Sequence, residues 1–359
     1  MAGIRAFETA DIQQVANLHQ KVFGVTRSPD IGNRYTAYFT DKFLDPVREG
    51  ALPSLVFEDE NGEIAGFMGI ATRWFVIGRR RIRAAVSSQF IAEPRARSRL
   101  IAVALLRDFL NGPQDFSFTD EATETSRILW EKLGGSTSVL YSLRWIAPLR
   151  PTNLLLSNSG SRFGSLVTLA GPVANLLDRI ASVLTRRGKL RPQADLRIEP
   201  LHAHALANFM SESIGDMMLH PDYDAVSLRR MLDDAARQSA QGTLQAVLLR
   251  SRGRQVAGWY LYCLDRRGTA EVLQVGYRRG HREEVIDHLF NKARLDGASA
   301  LAGRMEPHMG TALASQLCLL YGRQYSMLVH SRDPEVLNAI HSGKAFISRL
   351  DGEWCLRFC

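Results

Sequence analysis

Three arginines fall within the five residues Arg95 to Arg99, where an apolar strand pattern gives way to a helical one. A helix N-terminus offers unpaired backbone N–H groups and the positive end of its dipole, which suits a pyrophosphate. Arginines at its mouth add charge-assisted hydrogen bonds and steering. The stretch Arg97-Ser98-Arg99-Leu100-Ile101-Ala102 is therefore the first candidate binding element. The structural alternative is a solvated basic loop capping an ordinary helix. Asp120 and Glu121 close the next strand pattern and are candidates to take a proton from an ammonium, directly or through water. As solvated loop acids or a helix cap they would carry no chemistry. Ser87, Ser88 and Gln89, on the strand before the basic turn, supply no base at neutral pH. A metal site is not expected. Cys263, Cys318, Cys355 and Cys359 form no CxxC pair, and His202 and His204 stand alone.

The elements that must position these groups follow from periodicity. Residues 4–8 read as a strand. A helix over Asp11–Phe23 carries Ile12, Val15, Ala16, Leu18 and Val22 on one side, with Asp11 as N-cap. A second helix and a loop fill residues 30–50. Ser54–Phe57 and Ile64–Trp74 form a hairpin around Glu60-Asn61-Gly62. Then come a strand Ile82–Ile91, a helix Arg99–Leu110, a strand Phe116–Thr119, a helix Thr125–Leu133 ended by Gly134-Gly135, and a strand Val139–Trp145.

The second half repeats this order. Ile4-Arg5 is echoed by Leu196-Arg197, Ile64-Ala65-Gly66-Phe67 by Val256-Ala257-Gly258-Trp259, Leu105-Leu106 by Leu289-Phe290, and Gly134 by Gly322. A long-period repeat of this kind indicates two copies of one domain. The spacing predicts a hairpin over Leu244–Leu249 and Gln255–Leu264, helices over Glu283–Leu295 and Thr311–Tyr321, and a strand in the tail at 354–358. The expected domains are 1–148 and 194–359, with a linker at 149–193. Leu169, Val173, Leu176, Leu177, Ile180 and Leu184 make an apolar stripe in that linker, followed by Arg186-Arg187-Gly188-Lys189. The stripe suits a helix packed between the domains. Its basic end also suits weak contact of 166–190 with an anionic membrane surface.

At 359 residues, with 45% hydrophobic and 23% charged residues, the chain has ordinary globular composition for about two domains. The net charge of +8 favours anionic partners such as nucleotide phosphates, lipid or nucleic acid. Nucleic acid is not favoured, because the aromatic and basic interleaving of a dedicated RNA surface is missing. The N-terminus shows no apolar signal segment and no stretch reaches membrane-span length, so a cytoplasmic, reducing location is expected.

The order of elements and the basic turn together resemble the GNAT superfamily of acyl-CoA N-acyltransferases. In that family a central strand leads into a loop of pattern (Arg/Gln)-x-x-Gly-x-(Gly/Ala), and a Leu-Leu pair follows. Here Arg97-Ser98-Arg99-Leu100-Ile101-Ala102 precedes Leu105-Leu106, and Pro94 matches as well. Leu100 replaces the central glycine. The segment Leu129-Trp130-Glu131-Lys132-Leu133-Gly134 keeps a second family core, with Trp130 where a proton-donating tyrosine is common and Thr123 where an asparagine is.

The resemblance implies an α+β fold of two domains, each a mixed, mostly antiparallel sheet flanked by helices. It implies transfer of an acyl group, acetyl first, from acyl-CoA to an amine on a small molecule or peptide lying between the copies. Acetyl-CoA would sit on Arg97, Ser98, Arg99, Leu100, Ile101 and Ala102, with the backbone of Phe90 and Ile91 holding the pantetheine arm and carbonyl. In the second half His281, Glu284 and Ile286 take the motif positions, and two first-turn acids would repel a pyrophosphate. That half reads as a degenerate copy. The rival readings are a non-catalytic binding or scaffold protein, and a Fem-like transferase using aminoacyl-tRNA.

Overall fold

The computed structural model describes residues 2–24, 30–44, 50–94, 98–150, 196–213, 217–238, 242–316, 318–322 and 325–358. Strand β1 (Gly3–Ala6) leads into α1 (Ile12–Phe23) and α2 (Ile31–Phe43). Helix α1 buries Ile12, Val15, Ala16, Leu18 and His19, the expected stripe with a histidine added and with Val22, expected on the same side, left exposed in the last turn. Asp11 does not cap it through its side chain. Its carboxylate instead holds Arg5 at 2.7 Å and accepts from the Glu8 N–H at 2.9 Å.

The hairpin β2 (Leu55–Glu58) and β3 (Ile64–Ile77) turns where expected. Asp59 accepts from the N–H groups of Asn61 and Glu63, and Gly62 takes φ 79°. A positive φ there favours glycine. Strand β4 (Arg80–Ala92) pairs with β3 over most of its length, and β5 (Phe116–Ala122) follows the helix α3 (Ser98–Leu110). Next come α4 (Glu124–Lys132), β6 (Ser136–Ser138), the short α5 (Val139–Ser142) and β7 (Arg144–Pro148). The single strand expected at 139–145 is thus a helical turn followed by a strand.

The second half supplies β8 (Arg197–Pro200), α6 (Ala203–Ser213), β9 (Leu219–Pro221), α7 (Ala225–Arg237), and the meander β10 (Thr243–Arg250), β11 (Val256–Leu264), β12 (Thr269–Tyr277). Then come α8 (Arg282–Leu295), β13 (Ala300–Arg304), α9 (Gly310–Ala314), β14 (Leu319–Tyr321), β15 (Ser326–Ser331) and α10 (Pro334–His341). The helix expected over 311–321 is short and gives way to β14. The tail expected as a strand is a 3-10 turn at Glu353–Leu356. It makes no ladder there, because its polar groups bond to side chains of the first sheet. The linker stripe of 166–190 lies outside the described residues.

The two sheets exchange their last strands. The first runs β1-β2-β3-β4-β5-β15-β6, with β9 added at the far end of β3. The second runs β14-β7-β13-β12-β11-β10-β8. Dividing the chain at 148 and 194 assigns β7 to the first half and β15 to the second. The pairing reverses that: β7 lies antiparallel to β13 with Trp145 opposite Gly303, and β15 lies against β5 with Val329 opposite Phe118. Both exchanged strands carry core. Trp145 is fully buried in the second sheet's cluster and stacks on Phe290 at 6.0 Å. Met327 and Val329 are fully buried in the cluster under the first sheet. Each such side chain contributes about 1.5–3 kcal/mol on burial, so the register of each exchanged strand is strongly specified.

Candidate active site

Two features of β4 build the site. The first is a bulge. Phe67 pairs with Ile91 and Gly69 with Ser88, which drops Gln89 and Phe90 out of the register, and Gln89 sits at φ 52°. A bulge re-aims backbone groups away from the ladder, and a non-glycine residue at positive φ marks local strain. The second is a divergence. β4 and β5 are paired in parallel only from Ala84–Phe116 to Val86–Phe118 and separate beyond. Helix α3 begins beside this opening at Ser98, which places Ser98, Arg99, Leu100 and Ile101 in its first turn. Arg97 lies outside the described residues. Ile101 and Leu105 turn inward onto the sheet, with the Ile101 methyl 2.6 Å from where a Cβ on Gly66 would lie. Leu100 turns outward, 69% exposed, so it does not plug the core, and Ala102 is half-buried. Ile91 is buried against α1 and α2, while Phe90 is half-buried against the α3 core.

The opening is met from the face opposite α3 by the tail. Leu356 packs with Ala84 and Val86, whereas α3 packs on Ala85. Gly352 lies so close to the Asp120 carboxylate that a Cβ would collide with it. The Glu353 N–H donates to Asp120 Oδ1 at 2.8 Å. The Glu353 carboxyl in turn receives the Thr119 hydroxyl and the Glu121 N–H, the latter at 3.1 Å. Burial, with the charges of Asp120 and Glu121, pushes the Glu353 carboxyl up to about 8. It is nevertheless only half-buried.

The acids expected to serve as bases are differently placed. Asp120 is a buried partner of Arg304, 2.8 Å from Nη1. Each of the two is the fifth residue of the fifth main strand of its half, so equivalent positions of the two copies are joined by an ion pair. Glu121 is gripped by Arg349 at 2.6 Å and by Arg357. Burial pushes its carboxyl up, but the two guanidinium groups outweigh this and hold it below the usual carboxylate range. Both acids, expected as bases or as solvated loop acids, are thus committed to ion pairs. Arg349 also reaches Glu271, which Arg144 of the exchanged β7 holds at 2.5 Å.

A second network, unforeseen as a site, joins the bulge to α1 and α2. The Tyr35 hydroxyl donates to His19 Nδ1 (2.8 Å), and His19 Nε2 donates to Gln89 Oε1 (2.9 Å). The backbone carbonyl of Leu356 accepts from Gln89 Nε2 and from the Tyr38 hydroxyl, the latter at 2.5 Å. These donor roles follow from the amide and hydroxyl partners. Burial lowers the His19 pKa, so the imidazole is neutral near pH 7. Phe358 stacks on Tyr35 with ring centroids 4.2 Å apart. His19 was legible only as one more residue on the apolar side of α1. Glu353 gave no local signal at all, since its partners lie more than two hundred positions earlier in the chain.

The remaining motif residues are structural. Trp130 is buried and donates its indole N–H to the Val329 carbonyl of the exchanged β15. Thr123 caps α4 by accepting from the Ser126 N–H. In the second half, β12 and β13 also diverge after Val272–Gly303. That opening is stitched by Gln274, which accepts from Trp259 Nε1 and donates to Tyr223 and to Ser348 of the tail. At the start of α8, His281 pairs with Glu284 at 2.7 Å and the first-turn acids Glu283 and Glu284 stand where a phosphate would need donors. Among the described residues no group of three or more His, Cys, Asp or Glu side chains is placed to hold a metal, and no helix is long and apolar enough to cross a membrane.

No family model matches the sequence, and no curated protein does. Solved structures do. One is a GCN5-related N-acetyltransferase from Anabaena variabilis ATCC 29413, 14% identical over 94% of this chain and 75% of that one, with a TM-score of 0.60. Another is a conserved protein of unknown function from Enterococcus faecalis V583, described as a probable N-acyltransferase. It is 8% identical over 92% of this chain and 72% of that one, with a TM-score of 0.57. A third is a GCN5-related N-acetyltransferase from Kribbella flavida, 12% identical over 94% of this chain and 74% of that one, with a TM-score of 0.56.

Proposed function

We propose that this chain, which carries the fold of the GCN5-related N-acetyltransferases in two linked sheets, is an acyl-CoA-dependent N-acyltransferase whose chemistry sits in the first sheet. The observation that carries the reading is the β4 bulge at Gln89–Phe90 beside the β4–β5 divergence and the start of α3. Acyl-CoA fits these residues. The α3 N-terminus with Arg97 and Arg99 holds the pyrophosphate, and the outward Leu100 leaves the helix core undisturbed. The backbone of Phe90 and Ile91 holds the pantetheine arm and polarises the carbonyl. The co-substrate, when bound, supplies an acyl group activated as a thioester.

The acceptor amine enters from the side of α1, α2 and the tail, where the half-buried Phe358 stacks on the buried Tyr35. A carboxyl of pKa about 8, half-buried at the end of β5, is matched to removing a proton from an ammonium. Glu353 takes that role in this reading, in place of Asp120 and Glu121. The second sheet, with acids at the start of α8, serves as architecture and supplies the tail. Acetyl is the acyl group to test first, and the acceptor is a small-molecule or peptide amine.

A second reading, a non-catalytic acyl-CoA binder, is favoured by Trp130, whose N–H is committed to Val329 and leaves no oxygen donor for a leaving thiolate. The test is calorimetric titration of acetyl-CoA and CoA into wild type and an Arg97→Ala/Arg99→Ala double variant, followed by a thiol-release screen of amines. Saturable binding that weakens at least tenfold in the double variant is expected, with thiol release for some amine. Binding without release for any amine supports the second reading. The absence of binding to wild type removes both.

A further inference from the structure

Among the described residues, two that are not glycine take a positive φ. Arg254 does so in the exposed turn between β10 and β11, and Gln89 does so inside β4, at 52°. In a turn that conformation is ordinary. In a strand interior it is a cost that the surrounding contacts must offset. Ser88 and Ile91 are buried and paired with Gly69 and Phe67, so the two residues between them are the ones free to turn. The torsions at Gln89 fix the plane of the peptide that follows it, and so the direction of the Phe90 N–H.

The Gln89 side chain is held at both ends of its amide. Its Nε2 donates to the Leu356 carbonyl at 3.4 Å, and its Oε1 accepts from His19 Nε2 at 2.9 Å. A carbonyl only accepts, which fixes the direction of the amide and makes His19 the donor. The shorter bond, from His19, is the stronger hold. Burial keeps the imidazole neutral, so its Nδ1 is left to accept the Tyr35 hydroxyl at 2.8 Å. His19 is only 3% exposed and is flanked by the rings of Phe23, Tyr35 and Phe358. An apolar residue would fill this place on α1, as Ile12, Val15 and Leu18 do on the turns before it. A histidine brings two buried polar atoms that need partners, and one of those partners is the strained residue of the bulge.

We infer that His19 is a positioning residue for acyl transfer: through Gln89 it holds the β4 bulge in the turn that presents the Phe90 N–H to the thioester carbonyl. The inference rests on the acyl-CoA reading above and adds to it the residue that sets the geometry of the carbonyl site. His19 itself touches neither the acyl group nor the amine. It acts on the thioester only by fixing where a backbone donor points, and a donor aimed in advance is what stabilises charge developing on that oxygen.

The experiment is calorimetric titration of acetyl-CoA and of CoA into the full chain, as wild type, His19→Phe, Gln89→Leu, Gln89→Gly and the His19→Phe/Gln89→Gly double variant. The two ligands differ by the acetyl group alone, so the ratio of their affinities reads the carbonyl site and cancels a general loss of binding. Phenylalanine keeps a ring at position 19 but cannot donate. Leucine keeps bulk at position 89 without the amide. Glycine adopts a positive φ unaided but offers His19 nothing to hold. In each single variant the ratio of acetyl-CoA to CoA affinity should fall at least threefold from its wild-type value, with CoA affinity within twofold. Once residue 89 is glycine, His19→Phe should shift the ratio less than twofold further, because its effect passes through Gln89. Thermal melts show which variants fold, and Gln89→Gly decides alone where the others do not. An unchanged ratio in the folded variants, an equal loss for both ligands, or a full effect of His19→Phe beside glycine overturns the inference and leaves the acyl-CoA reading standing. If neither ligand binds wild type, that reading falls and the inference falls with it.

Discussion

Two carboxyls near pKa 8, the half-buried Glu353 and the buried Glu306, make opposite kinds of prediction at the scale of single residues. Glu353 is set there by burial and by the neighbouring charges of Asp120 and Glu121. A base must be deprotonated, so turnover should rise with pH through about 8. Glu353→Gln keeps an oxygen for the Thr119 hydroxyl and the Glu121 N–H. It should fold, bind CoA as wild type does, and turn over about 10²-fold more slowly without the rise near pH 8. An unchanged pH profile in that variant would remove Glu353 from the mechanism. Glu306 is also raised to about 8, chiefly by burial and with Asp351 adding to it. Because its folded pKa lies above its ordinary value of 4.5, the folded state holds the proton more tightly. The stability linked to it is complete below 4.5 and is lost as pH rises through 8. Glu306→Gln removes that dependence. Its melting temperature relative to wild type should climb by about 2 °C or more between pH 5 and 8.5, and a flat difference would contradict the assignment. His308, held neutral by burial down to about 4, lies 3.6 Å from Glu306 and titrates in the other sense below 6.5, so the part of the difference above pH 6.5 is the part that reports Glu306 alone.

At the scale of elements, the tail decides how the first sheet is finished. Gly352 is needed because Asp120 occupies the space of any Cβ there, and Asp120 cannot move while it holds Arg304 and the Glu353 N–H. Gly352→Ala should cost about 1–3 kcal/mol from overpacking, read as a lowered midpoint in denaturant with unchanged slope. A neutral substitution would mean that the tail does not rest on β5. The same elements show what was legible. Helices α1 and α3 bury a stripe at helical spacing, the β2–β3 hairpin carries its turn signal, and β3 and β4 are apolar runs buried on both faces, so local spacing reveals them. The tail reads as a strand because Trp354, Cys355, Leu356 and Phe358 are apolar. It turns instead because its neighbours are side chains of β5 and not an open ladder. Likewise the spacing shows only that Leu100 replaces a glycine of the motif, and its outward direction depends on where α3 starts. Glu353, Gln89 and His19 were beyond local reading, since each is defined by partners 70 or more positions away.

At the scale of the whole molecule, neither sheet is complete within one half of the sequence. A chain of residues 1–150 lacks β15, and with it the partner on which Trp130 and β6 depend. It also leaves Trp145 without the second sheet's core. Such a fragment should show no cooperative thermal transition and should gain one when residues 194–359 are added in trans. A stable, cooperative fragment on its own would contradict the exchanged pairing. The exchange also sets an order of events at the ribosome. Strand β5 emerges with one edge unpaired, and the strand that covers it comes about two hundred residues later. At roughly 5–20 residues per second, that edge waits about 10–40 s during translation. Contacts of such sequence separation fold slowly, so the nascent first half is exposed to misassembly for longer than its size alone would require.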